Sequence, residues 1–478
     1  MSRKKNIYLS LLGIVGLSIC LLTFISMSNH KVTYKNLPKK NEYIKYPEIN
    51  NFIKSNDKYD DSLLSGYTDK LDYKNGEVID FFIKNPYANT TLTLYKLGGR
   101  KRVYEIVRTL NLSKESENNC SIDKSSAMVY CRWSSSIKLK VDSRWPKGEY
   151  VYSFYNPTHK LRYNSFFVVD AENYSKNKIL YVVPANTYEA YNQYGGSSLY
   201  YNITGAGNKR FASAVSFLRP FTNHAIAGGV FRFDLPLTYF LYREHYSFDV
   251  VTNSALESSS YDLSRYKVII LSGHDEYWGF NYSKNLLKAE SKGVSILNLG
   301  ADTGYWAVVF SKDKNFFYCN KVESMNSKKV LLVKGGPFNE INSPNSVAPN
   351  QLLGNNYAGI VSNPTDWVIS NAKFWGFRGE KVYNGEKIPN LVTGEADGIF
   401  SDLKLHKGTF NYYPISKDFF KIRKNVKNPT RLQNTIVSIS KFHKQVIFDA
   451  GTFGWIGNLN NPIIKTLTKN LINYPFEK

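Results

Sequence analysis

Two rhythms of apolar and polar residues divide the chain. Over residues 63–172 the runs are short and alternate: "EVIDFFIK" (77–84), "TTLTLYKLG" (90–98), "IKLKVD" (137–142), "GEYVYSFY" (148–155) and "YNSFFVV" (163–169), with Gly, Pro, Asn and Lys clusters between them. A period of two turns one face of each run to a core and the other to water, and turn residues at this spacing predict an Ig-like antiparallel β-sandwich.

Over residues 173–478 the apolar runs stop alternating. "KILYVVPA" (178–185), "FDVVTNS" (248–254), "YKVIILSG" (266–273), "VSILNLG" (294–300) and "QVIFDAG" (445–451) are continuous, aliphatic, and end in Gly or a small polar residue. Strands buried on both faces of a parallel sheet have this signature. Helices are expected between them in "PLTYFLYREHY" (236–246), in "NYSKNLLKAESKG" (281–293) with Gly293 as its stop, and in "PIIKTLTKNLIN" (462–473). The expectation is a flavodoxin-type α/β domain. Between about 304 and 390 the βα rhythm breaks, and that region reads as an insertion on the rim.

The N-terminus has a third pattern. Arg3, Lys4 and Lys5 precede an uncharged apolar run from Ile7 to Met27, long enough to cross about 30 Å of hydrocarbon as a helix. Residues 1–28 are therefore expected to be a signal peptide or signal anchor, cut after Ser28 or kept as a transmembrane helix. Residues 29–62, rich in Lys, Asn and Tyr, would be a stalk. The positive-inside rule puts the remaining chain outside the cytoplasm, either on a bacterial cell membrane with a single span or in a secreted or periplasmic form.

Charge and cysteines refine this picture only a little. The formal charge is +23, from 62 basic against 39 acidic residues. The lysines are scattered, which suits a solvated surface or attraction to an anionic membrane or polymer. No zinc-finger spacing, RNP-like stretch or basic zipper is present, so no nucleic-acid partner is expected. Cys120 and Cys131 bracket a polar loop and read as a structural disulfide, while Cys319 reads as a buried thiol. Self-association into a homo-oligomer is left open.

Candidate chemistry lies where the continuous strands end, because loops leaving the carboxyl ends of a parallel sheet converge on a crevice. "KILYVVPA" is followed by Asn186, Thr187, Glu189, Tyr191 and Asn192, "VIILSG" by His274, Asp275, Glu276 and Tyr277, "SILNLG" by Asp302 and Thr303, and "VIFDAG" by Thr452 and Trp455. Capping explains an Asp after a strand equally well. Glu276, between an imidazole and aromatics, needs a cation or a hydrogen-bond donor. Trp278, Trp306 and Trp455 are expected to line the same crevice.

In that order "VVPANTYEAYNQYGGSSLY", "LSGHDEYW", "LGADTGYW", "LVTGEADG" and "FDAGTFGW" resemble the C-terminal domain of the large subunit of bacterial N,N-dimethylformamidase and its relatives. The upstream "SGYTDKLDYKNGEVIDFFI" and "RWPKGEYVYSFY" resemble the β-sandwich preceding that domain. The resemblance implies a glutamine-amidotransferase-like α/β fold and a mononuclear iron held by two tyrosines and a glutamate, hydrolysing an amide. By motif, the metal ligands would be Tyr150, Tyr191 and Glu276, and His274, Glu395 and Asp302 the catalytic groups beside them. Phenolate and carboxylate are hard oxygen donors that suit such an ion. Two departures are visible: Asp302 stands where the family more usually has Asn, and no cysteine occupies a nucleophile elbow. The reading is an exported metal-dependent hydrolase of an amide-type C–N bond on a small-molecule or cell-envelope substrate. Its alternative is a non-catalytic cell-envelope or carbohydrate-binding protein using the same crevice.

Overall fold

The computed structural model describes residues 60–99, 103–170, 175–222, 229–258, 261–321, 335–338, 352–399, 409–423 and 428–477. The expected leader (1–28) and nearly all of the stalk lie outside the described residues. Among the described residues no helix is long and apolar enough to cross a membrane.

The alternating region forms two packed sheets. One holds β1 (Ser65–Thr68), β3 (Val78–Lys84) and β6 (Ile137–Lys140). The other is ordered β2 (Asp72–Tyr73), β8 (Leu161–Val169), β7 (Gly148–Asn156), β4 (Thr90–Leu97), β5 (Tyr104–Leu112). All these strand pairs are antiparallel except β2 with β8, which is parallel. Ile79, Phe81 and Ile83 of β3 meet Leu92, Leu94, Tyr152 and Phe154 in one core. Strand β8 is buried at every position because it faces two cores: Tyr163 and Phe167 enter the sandwich, while Phe166 and Val168 join the core of the following region. Cys120 and Cys131 are bonded, as the sequence suggests.

The continuous runs form β9 (Ile179–Val183), β10 (Phe248–Thr252), β11 (Val268–Leu271), β12 (Ser295–Asn298) and, beyond the short β13 (Glu395–Gly398), β14 (Phe410–Lys421), β15 (Thr430–Ser440) and β16 (Val446–Asp449). The sheet order is β10-β9-β11-β12-β16-β15-β14. The first five strands pair in parallel and the last two antiparallel. Alternate residues of β9 and β11 enter opposite cores, Tyr181 and Ile270 on one side, Val182 and Leu271 on the other. Helices α2 (Leu235–Arg243) and α4 (Pro462–Asn473) cover the first face and α3 (Phe280–Ser291) the second. Gly293 follows α3 with φ +83°, the left-handed conformation in which a glycine stops a helix.

The molecule is richer in strand than the sequence suggests. Between β10 and β11 the described residues hold short 3-10 turns at Ala255–Glu257 and Leu263–Arg265 and no full helix. The long β14–β15 hairpin was not expected: Pro414 and the charges of "FNYYPISKDFFK" weaken the strand signal, and the register shifts next to Pro414. In the region expected to be an insertion, Trp306–Phe310 pairs in parallel with Tyr277–Gly279 and so belongs to the wall beside "HDEYW".

Candidate active site

The segments that follow β9, β11 and β12 meet around Glu276. After Leu271 the chain leaves β11, and Asp275 turns inward to accept from Asn253 Nδ2 (2.7 Å) and the Tyr282 hydroxyl (3.0 Å). This buried anchor fixes the loop. The amide of Glu276 then donates to Thr187 Oγ1 (3.0 Å) on helix α1 (Ala185–Tyr191), which follows β9. With its backbone held on one side, the Glu276 carboxylate is presented on the other.

Both oxygens of that carboxylate are engaged. Tyr191 donates its hydroxyl to Oε2 (2.8 Å), Tyr200 donates to Oε1 (2.7 Å), and His274 Nε2 lies 3.1 Å from Oε2. The Tyr191 and Tyr200 rings stack with centroids 4.1 Å apart. Between them the chain reverses through Gly195 (φ +73°) and Gly196 (φ +86°), conformations that side-chain-bearing residues rarely adopt. Arg219, fully buried, holds the turn by donating to the carbonyls of Asn192 and Ser197 and pairing with Glu189 of α1 at 2.5 Å. Glu189 is thus a structural ion partner.

His274 also reaches Glu395 Oε2 at 3.5 Å and packs against the Phe453 ring. Asp302, at the end of β12, has a positive φ of +52° and donates its amide to Asp397 Oδ1 (2.9 Å). Asp, like Asn, tolerates that backbone better than most side-chain-bearing residues. Lys321 is buried, its ammonium 3.3 Å from the centroid of the Tyr200 ring and 4.8 Å from that of Trp306. Burial pulls its pKa down to about 8 against the pull of Glu276.

The electrostatics separate the carboxylates. Burial alone would raise Glu276, but the His274 hydrogen bond and charge, with Lys321, hold it below its ordinary value. Burial raises Glu395, as does the charge of Glu276, with His274 opposing. Asp302 is pushed well up by burial and by Glu395, Glu276 and Asp397. Tyr191 and Tyr200 lie well above the usual phenol value, first through burial and then through Glu276. Neither phenol ionises here unless a cation replaces its proton. His274, Glu276 and Asp302 each offer an atom to one space, all within 4.8 Å of one another, so a metal ion can be held at this point.

Of the residues expected from sequence, Tyr191, Glu276, His274, Glu395 and Asp302 come together. Tyr150 does not. Its hydroxyl donates to Pro146 O (2.5 Å) and its ring stacks on Phe167 inside the sandwich, so the expected sandwich-borne ligand is corrected. The second phenol on Glu276 is Tyr200, which ends the motif "NQYGGSSLY". The two adjacent glycines were the available sign that the chain doubles back there. Trp278 and Trp455 are wholly buried in packing cores, and Trp306 nearly so, which corrects the tryptophan-lined crevice. Cys319 is buried, and burial pushes its thiol up to about 12, in keeping with an inert side chain.

Set against known proteins, residues 91–469 match the profile of the family described as N,N-dimethylformamidase beta subunit-like, C-terminal. No curated protein matches the chain.

Proposed function

Because the chain belongs to the N,N-dimethylformamidase beta subunit-like family, we propose that it is a metal-dependent hydrolase of an amide-type C–N bond. The observation that carries this reading is the clamp of two phenols on one buried carboxylate, Tyr191 and Tyr200 on Glu276. A phenol–carboxylate set is all hard oxygen, and replacing the two phenolic protons by a cation turns the hydrogen-bond donors into phenolate ligands beside the carboxylate. We assign iron to Tyr191, Tyr200 and Glu276. When bound, such an ion acidifies water and polarises a carbonyl oxygen.

The chain's own residues supply the rest. Glu395, its pKa raised by burial and by Glu276 against the pull of His274, accepts a proton from the attacking water and returns one to the departing nitrogen. His274 bridges Glu276 and Glu395 and fixes the orientation of both. Asp302, kept neutral by its acidic neighbours, presents a hydroxyl to the substrate carbonyl. The fold in this reading is amidotransferase-like, with the parallel strands β9, β11 and β12 delivering Tyr191, His274, Glu276 and Asp302 from their carboxyl ends and β13 adding Glu395. The protein works outside the cytoplasm, on the strength of the Ile7–Met27 run and the Cys120–Cys131 disulfide. The carbohydrate-binding alternative loses support because the tryptophans it relied on are buried.

Metal analysis of the purified full-length protein tests the assignment. Near-stoichiometric iron is expected in the wild type and in Tyr150→Phe, with loss in Tyr200→Phe and Glu276→Ala. Full retention in both of the latter variants would refute it.

A further inference from the structure

The strand-end carboxylates continue past the site described above into a second, small recess that shares Asp302 with it. Asp397 of β13 and Asp449 at the end of β16 line this recess, together with Asp302, Thr303 and Asn355. No lysine or arginine stands among the described residues lining it. Asp397, Asp449 and Asn355 are each no more than 3% exposed.

Few donors serve this region. Asn355 Nδ2 donates to Asn434 O (2.8 Å), and the same side chain bears on Asp449 and opposes its upward shift. Asn298 Nδ2 (2.9 Å) and the Gly451 amide (3.1 Å) both bond Asp449 Oδ1. That leaves Asp449 Oδ2, Asn355 Oδ1, Thr303 Oγ1 and Asp302 Oδ1 buried, with no hydrogen-bond partner for any of them. A buried oxygen left this way is unfavourable, most of all when it belongs to a carboxylate. Burial pushes Asp449 up to about 7, and burial plus the charge of Asp449 pushes Asp397 well above its ordinary value. Buried carboxylates this short of donors need protons or a cation.

We propose that this recess is a second cation site, which takes a hard divalent ion of the calcium class through Asp449, Asp397 and the amide oxygen of Asn355. The donor set contains no nitrogen or sulfur ligand, and it mixes carboxylate with neutral oxygen, which suits Ca²⁺ and disfavours transition metals. The ion would tie β13 to β16 and, through the Asp302 amide on Asp397, fix the backbone that carries Asp302. The inference is independent of the catalytic iron.

Calcium titration by calorimetry, with thermal melting of chelator-treated full-length protein, decides the matter. Ca²⁺ at about 100 times its Kd is expected to raise the Tm of the wild type by roughly 3 °C. Glu276→Ala, which removes the other site, should keep that rise. Asp449→Asn, which preserves shape, should lose it, and Asn355→Ala should weaken calcium binding at least tenfold. An unresponsive wild type would overturn the proposal, as would a response that survives in Asp449→Asn. A response lost in Glu276→Ala and kept in Asp449→Asn would assign the ion to the catalytic centre instead, again overturning it.

Discussion

His274 stands between two carboxylates of unequal character, 3.1 Å from Glu276 Oε2 and 3.5 Å from Glu395 Oε2. The difference decides which one moves protons: Glu276 is held ionised by its donors, and Glu395 is raised from its ordinary 4.5 mainly by burial. As a base Glu395 must be deprotonated, so on the hydrolase reading the rate climbs with pH through a value above 4.5 and then levels. Glu395→Gln should remove that acidic limb and lower kcat by about 10²–10⁴-fold while leaving bound metal unchanged. A pH–rate profile with parallel metal analysis checks it. At this scale the sequence marked Glu276, His274 and Glu395 by residue type and motif. It misplaced the second phenol because Tyr150 and Tyr200 are chemically identical, and only the Gly195–Gly196 reversal brings one of them onto Tyr191.

The elements differ in how plainly they announce themselves. Strands β9, β10, β11, β12 and β16 are legible because burial on both faces demands continuous apolar runs, and α4 because Asn461 caps it by accepting from the amides of Ile463 and Ile464. Helix α1 is hidden: it has one buried face after another, no side-chain cap and only Ala185–Tyr191 to show. Its position depends on Glu189, whose carboxylate pairs with Arg219 and accepts from Asn192 Nδ2. Arg219→Met should therefore leave a buried anion unpaired and destabilise the protein by about 3–5 kcal/mol, read as a fall in chemical-denaturation midpoint. A change below about 1 kcal/mol would mean that the pair is dispensable.

Across the whole molecule the sandwich and the α/β region are welded through polar groups that no local pattern shows. Asp72 of β2 accepts from the Thr252 amide (2.9 Å) at the end of β10, and Tyr163 accepts from the Phe221 amide (2.9 Å). Glu149 of β7 faces Asp234 across the same boundary. Asp234 takes hydroxyls from Tyr181, Tyr188 and Ser272, whereas neither oxygen of Glu149 has a donor. Burial and the charge of Asp234 push Glu149 well up, so it stays protonated in the fold. The folded state then holds a proton that the unfolded chain releases near 4.5. Stability is undiminished below that value and falls as pH rises, by up to about 1.4 kcal/mol per unit, until Glu149 ionises. Glu149→Gln should flatten that decline and melt higher than the wild type at pH 8, as melting curves across pH would record. The amino-acid pattern by itself determined the two rhythms, the parallel strands, the disulfide and the residue types of the site, since each follows from burial over a few consecutive positions. Tertiary structure alone decided which tyrosine meets Glu276, which acids lack donors and how the two regions lock, because those outcomes depend on distances between residues that are remote along the chain.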